Sequence, residues 1–170
     1  MIVLAQNSRV SLRRLQPGDL NEFMSYRSDR EVARYQSWEQ MTPDRTLRFL
    51  AAVAVQPLFM AGAWCQIGIA NAQHDLMGDI GVFLSEEANH VELGITLARP
   101  FWGNGYATDA MKLAFELVWE ETNVPSVRCW GDRRNLRSIA LMRRLGMTHL
   151  GTEETDVIEE AYILNRPDKH

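Results

Sequence analysis

Val91-Glu92-Leu93-Gly94-Ile95-Thr96-Leu97-Ala98-Arg99-Pro100-Phe101-Trp102-Gly103-Asn104-Gly105-Tyr106-Ala107-Thr108-Asp109-Ala110 changes its period halfway along. Val91, Leu93, Ile95 and Leu97 alternate with Glu92, Gly94 and Thr96, the two-residue repeat of a strand. From Ala107 the apolar positions recur at three and four (Ala110, Met111, Ala114, Phe115, Val118), with Asp109, Lys112 and Glu116 between them. That is a long amphipathic helix packed on a sheet. The junction, Gly103-Asn104-Gly105-Tyr106-Ala107, falls where a helix start leaves backbone N–H groups without internal acceptors. Glycine lets a ligand come close, and the helix dipole adds positive potential at the same place. A diphosphate suits such a junction. A lone G-x-G after a strand reads equally well as a plain turn, and the dinucleotide and P-loop patterns are both absent.

Working outward, Trp64 to Ala70, Met77 to Leu84 and His90 to Ala98 form a three-strand meander separated by the polar turns Asn71 to Asp75 and Ser85 to Asn89. Upstream, Arg9 to Arg13 is a strand with Val10 and Leu12 inward and Ser11 and Arg13 outward, closed by Pro17-Gly18-Asp19. Leu20, Phe23, Met24 and Arg27 fall at helical spacing, and a short helix carries Val32 and Ala33. Thr42-Pro43 caps a third helix with Leu47, Leu50, Ala51 and Ala54 on its apolar face, ending before Pro57. Downstream, Val127 and Cys129 mark a buried strand, Asn135 to Leu145 a helix stopped by Gly146, and Met147 to Leu164 one or two closing strands. The element order predicts a mixed α/β fold: a central, mostly antiparallel sheet of six to seven strands with helices on both faces.

The 170 residues show no repeat or linker, so one domain spanning 1–170 is expected. A hydrophobic share of 46% builds an ordinary core, and a net charge of −4 argues against a direct nucleic-acid function and for an amine-bearing substrate. Cys65 and Cys129 read as free thiols of a reducing compartment, which places the protein in the cytoplasm. Met1 to Arg9 lacks the apolar run and basic leader of a secretory signal, so the mature chain is expected to begin there. The apolar window Phe49 to Cys65 breaks at Gln56-Pro57, short of the roughly 20 residues that cross a bilayer. His74, His90, His149 and His170 lack metal-ligand spacing, and no metal is expected.

The Val91 to Ala110 stretch resembles the cofactor motif of the GNAT acetyltransferase superfamily. Asn135-Leu136-Arg137-Ser138, ending at Leu145-Gly146-Met147, resembles the Asn-x-x-Ser helix of the branch that holds the ribosomal-protein N-terminal alanine and serine acetyltransferases. The resemblance implies an acetyl-CoA site in a sheet splayed between its fourth and fifth strands. It puts the pantetheine arm against Ile95, Thr96 and Leu97, and the diphosphate on the amides of Trp102, Gly103, Asn104, Gly105, Tyr106 and Ala107, with Thr108 beside them. Two positions depart from the family: Pro100 where many members have Gln or Arg, and Met142 where many have a tyrosine acid. Members of the family are often homodimers.

Acyl transfer from a thioester to an amine needs a neutral nucleophile, a stabilised oxyanion and a proton for the leaving thiolate. Ser138 is the candidate acid and Asn135, three residues earlier on the same helical face, orients the pantetheine; the other reading makes Asn135 a helix cap and Ser138 a first-turn polar residue. Glu92 is the candidate base, or a solvated strand carboxylate. Arg34, Tyr35 and Trp38 are candidates for the acceptor pocket, or packing residues. Of the basic cluster Arg128, Arg133, Arg134, Arg137, Arg143 and Arg144, Arg143 or Arg137 is assigned to the adenosine phosphates, against a basic surface that meets ribosomal RNA or a solvated helix face. The expected activity is N-acetylation of a small-molecule amine or a protein N-terminus; the alternative is a non-catalytic CoA-binding sensory or structural module.

Overall fold

The computed structural model describes residues 1–168 and opens on a hairpin, Val3–Gln6 (β1) antiparallel to Ser11–Arg14 (β2). His170 lies outside the described residues. β1 is one strand more than the sequence predicts: four residues, none fully buried, carry too little alternation to read. In β2, Ser11 and Arg13 do not face solvent as expected; both are buried, because helices cover that face too. Arg13 donates from two nitrogens to the Asp19 carboxylate at 2.9 and 2.8 Å, and that pairing lets a charged side chain sit inside.

Leu20–Ser28 (α1) and Arg30–Ala33 (α2) follow, then Pro43–Val55 (α3), whose Thr42 hydroxyl accepts from the Arg45 N–H at 3.3 Å. The buried stripe of α3 is Thr46, Leu50 and Val53 rather than the predicted Leu47, Leu50, Ala51 and Ala54; Leu47 is 41% exposed. Alanine at 51, 52 and 54 makes neighbouring stripes nearly equivalent, and the larger Leu50 and Val53 decide which one turns inward.

Trp64–Ala70 (β3), Leu76–Leu84 (β4) and Val91–Leu97 (β5) run as the expected antiparallel meander. Tyr106–Glu121 (α4) crosses over to Ser126–Asp132 (β6), which lies parallel to β5. Leu136–Arg144 (α5), Thr148–Glu154 (β7) and Ile158–Asn165 (β8) complete one eight-stranded sheet ordered β1-β2-β3-β4-β5-β6-β8-β7. Val91, Leu93 and Leu97 of β5 join Ala110, Met111, Ala114 and Phe115 of α4 in the larger core. The opposite face of the sheet carries a second core, with Phe23, Tyr26, Val32, Leu50 and Val53 from α1 to α3. Helices thus cover both faces. No helix among the described residues is long and apolar enough to cross a membrane.

Candidate active site

β5 and β6 pair only at Val91–Val127 and Glu92–Arg128. From Leu93 to Leu97, β5 has no ladder partner on its β6 side, so two adjacent strands open into a cleft. Backbone groups along such an edge are free to meet something other than the sheet.

The junction predicted to hold a diphosphate closes one end of this cleft. Gly103 (φ +76°) and Gly105 (φ +81°) are both left-handed, a conformation that costs other residues about 1 kcal/mol or more. Gly105 is the N-cap of α4 and offers no side-chain acceptor. The backbone N–H groups from Gly103 to Thr108 find no acceptor among the described residues. Around Gly103 there is open space where a side chain would begin. An anion of several oxygens fits such a set of donors at a helix start, so these residues suit the diphosphate of a coenzyme.

α5 lies along the same face. Arg144 donates to the Thr108 hydroxyl at 3.2 Å, and the Arg137 guanidinium sits 4.3 Å from the centre of the Trp102 ring. The Trp102 indole donates to the Leu97 carbonyl at 2.7 Å, and Asn104 donates to the Trp102 carbonyl at 3.0 Å, which fixes the loop after β5. The Asn135 side chain accepts from the Ser138 N–H at 3.2 Å and caps α5. Ser138 is half-buried against β6: a side chain at Gly131 would meet its hydroxyl oxygen at 3.0 Å and the Met142 methyl at 3.1 Å. That hydroxyl has no hydrogen-bond partner among the described side chains and backbone, whereas Met142 is buried.

Glu92 projects from the other face of β5, half-buried, with one oxygen 3.4 Å from His90 Nε2. Thr96, on the same face, lies opposite Asp79 of β4. Trp130 of β6 shares that face by register, and its indole N–H has no partner among the described residues; nor has that of Trp38 or the Nε–H of Arg128. The two flanks of α2 reach residues just beyond the two strands, one beside each. Asp29, just before α2, pairs with Arg99 beyond β5 at 3.0 Å, while the Tyr35 ring lies 5.3 Å from the Arg34 guanidinium and 5.8 Å from that of Arg134, beyond β6. Arg134 in turn donates to Asp132, and these hydrogen bonds hold the Asp132 carboxyl below its ordinary range.

The structure therefore brings Ile95, Thr96, Leu97, the Trp102–Thr108 loop, Asn135 and Ser138 beside the opened strands and Tyr35 near Arg134, while Arg34 is exposed and pairs with Glu31 on its own segment at 3.8 Å. Trp38 stacks on Arg27 at 4.3 Å, against the α1 layer. Arg143 is placed elsewhere: it shares with Leu136 and Ile139 the face of α5 that lines a groove of about 540 Å³ with His149, Glu160 and Tyr162. Arg137 and Arg144 occupy the cleft side instead, and between Arg143 and Arg144 the distinction is one residue, about 100° of helical phase, which a run of arginines does not reveal. The Arg9 guanidinium reaches Asp109 and Asn104 from the β1–β2 turn, a role that nothing in its local sequence marks. Cys129 is buried, and burial pushes its thiol up to about 12, so it is no nucleophile near neutral pH. The described residues contain no grouping of His, Cys, Asp and Glu able to hold a metal.

The sequence profile of the family described as "Acetyltransferase (GNAT) domain" matches residues 9–148. Over 145 residues the chain is 24% identical to an uncharacterised N-acetyltransferase, p20, of Bacillus licheniformis, covering 84% of this chain and 81% of that one. A GNAT-family acetyltransferase from Bacillus anthracis superposes with a TM-score of 0.79 at 18% identity, covering 97% of this chain and 98% of that chain. Spermidine N-acetyltransferase from Vibrio cholerae, solved with CoA and spermine, also gives 0.79 at 18% identity, covering 94% and 96%.

Proposed function

Since this chain belongs to the GNAT acetyltransferase family, we propose that it moves an acetyl group from acetyl-CoA to a primary amine by direct attack within a ternary complex. The observation that carries this reading is the run of partnerless amides from Gly103 to Thr108 beside the splayed β5–β6 pair. Bound acetyl-CoA supplies an acetyl group already activated as a thioester. The amides from Trp102 to Thr108 hold its diphosphate, and the free edge of β5 at Ile95, Thr96 and Leu97 takes its pantetheine arm and offers an N–H to the developing oxyanion. Asn135 holds the first turn of α5 in place and Ser138 donates its hydroxyl proton to the departing sulfur, to be reprotonated from solvent. Glu92, on the opposite face, accepts the proton that the amine must lose before it attacks.

The acceptor enters between Tyr35 and Arg34 on one side and Trp130 on the other, whose buried indole N–H has no partner among the described residues. Resemblance to the ribosomal-protein branch supports a protein N-terminus, and likeness to a spermidine acetyltransferase supports a polyamine. Both belong in one test: thiol release from acetyl-CoA with polyamines, aminoglycosides and N-terminal peptides, wild type beside Ser138→Ala. Turnover with at least one amine is expected, and the alanine variant should lose about 100-fold in kcat while melting with the wild type. Full turnover by the variant where chemistry is rate-limiting removes Ser138 from the mechanism. Silence across the whole panel, with coenzyme bound, removes the amine reading.

A further inference from the structure

Arg9 stands in the turn between β1 and β2, far in sequence from the loop it touches. Its Nη1 donates to Asp109 Oδ2 at 2.7 Å, its Nη2 donates to the Asn104 carbonyl at 2.5 Å, and its guanidinium carbon lies 4.8 Å from the centre of the Tyr106 ring. One side chain thus grips the glycine loop and the first turn of α4 together. Two consequences follow from elementary geometry and charge. In a trans peptide the carbonyl of one residue and the N–H of the next point opposite ways, so drawing the Asn104 carbonyl toward Arg9 turns the Gly105 N–H away from it. Asp109 is an acid in the first turn of α4, where it competes with any other anion for the positive end of the helix. Its ion pair with Arg9 cancels that charge at close range.

We propose that Arg9 is the positioning residue of the diphosphate loop: it sets the Asn104–Gly105 peptide and neutralises Asp109, so that the coenzyme's diphosphate meets amides without facing a bare carboxylate. The inference rests on the reading of Gly103 to Thr108 as the diphosphate site. Arg9 is 47% exposed at its side chain and belongs to neither hydrophobic core, so what its removal takes from the packing is its contact with the Tyr106 ring.

Calorimetric titration with coenzyme A, and with pantetheine as a probe lacking the diphosphate, separates the two ideas. Wild type should bind coenzyme A at least about 100-fold more tightly than pantetheine; equal binding of the two would overturn the diphosphate site itself. Given that preference, Arg9→Ala should weaken coenzyme A binding about tenfold. Adding Asp109→Asn in the Arg9→Ala background should recover roughly a third or more of that loss on a logarithmic scale. Arg9→Lys keeps the charge without the two-armed reach and should fall between wild type and alanine, which holds the test open if the alanine variant folds poorly. Wild-type affinity in the Arg9→Ala protein, or no recovery in the double variant, sinks the role of Arg9 and leaves the site standing.

Discussion

On the α1 side of the sheet, Asp79 is 1% exposed and every oxygen is met: Tyr26 donates at 2.6 Å, Arg27 at 2.8 and 3.3 Å, and Gln66 at 3.1 Å. Arg27 itself is stacked between the Phe23 and Trp38 rings at 4.4 and 4.3 Å. At the β5–α4 junction, a run of backbone donors meets no acceptor among the described residues. Both regions lie at the margin of β5, and both are rich in polar atoms. The difference teaches where each set of polar atoms finds its partners: the first is matched within the chain and stabilises the fold, the second is left for a ligand. Tyr26 shows the same internal matching, since burial, with Asp79 adding to it, holds its phenol well above the ordinary tyrosine range.

The comparison breaks most visibly at Asp79. Asp79→Ala leaves the Arg27 guanidinium partly buried without its carboxylate and strips Tyr26 and Gln66 of an acceptor. Removing one partner of such a pair costs about 3–5 kcal/mol, which a urea unfolding curve would register as a large drop in midpoint. If stability falls by less than about 1 kcal/mol while turnover disappears, Asp79 belongs with the functional atoms and the contrast is misdrawn.

A smaller effect sharpens the contrast from the other side. Gly103 and Gly146 share a φ of +76°, and neither has a neighbour within 4 Å of where a side chain would begin. Alanine at either should cost about 1 kcal/mol of backbone strain and no more. Only Gly103→Ala, in the loop, should also weaken coenzyme A binding, by about tenfold in a calorimetric titration, because Gly146 merely ends α5. Equal coenzyme affinity in both variants would place the loop outside the binding site.

The order of elements from Thr42 to Leu164 was legible because their turns carry Gly, Pro, Asn and Asp at the expected offsets, whereas the alanines of α3 left its inward stripe undecided. The splay between β5 and β6 came from the resemblance rather than from spacing; no local residue announces where two strands stop pairing. The losses share a cause. Arg13 reads as a surface residue until Asp19 is seen to bond it on both arms, and Arg9 reads as an ordinary turn arginine until α4 is folded against the hairpin. Likewise, the arginines of α5 differ only in helical phase, and the sheet decides which of them meets the cleft. Pairing across the fold is what converts these side chains from solvent-facing to structural, and a linear sequence carries it only weakly.

The smallest expected effect lies in a third region, the groove between α5 and β7–β8, where polar atoms are again matched internally. Glu160 accepts from Arg133, from His149 and from the Thr152 hydroxyl, and these hydrogen bonds, Arg133 first, lower its carboxyl from 4.5 to about 2. A carboxylate whose folded pKa lies below its unfolded value adds stability that is complete above pH 4.5 and fades as the pH falls toward 2. Glu160→Gln should therefore melt below wild type near neutral pH, with a gap that stays level down to about pH 5 and closes between there and pH 2. Because Arg133 is 54% exposed, solvent screens the pairing and the gap should be no more than a few degrees. Coenzyme affinity should not change, since the groove lies on the other side of α5 from the loop. A gap that widened on acidification would mean that the neutral acid is the form the fold prefers, and a change in coenzyme A binding would mean that Arg143 and its groove reach the site after all.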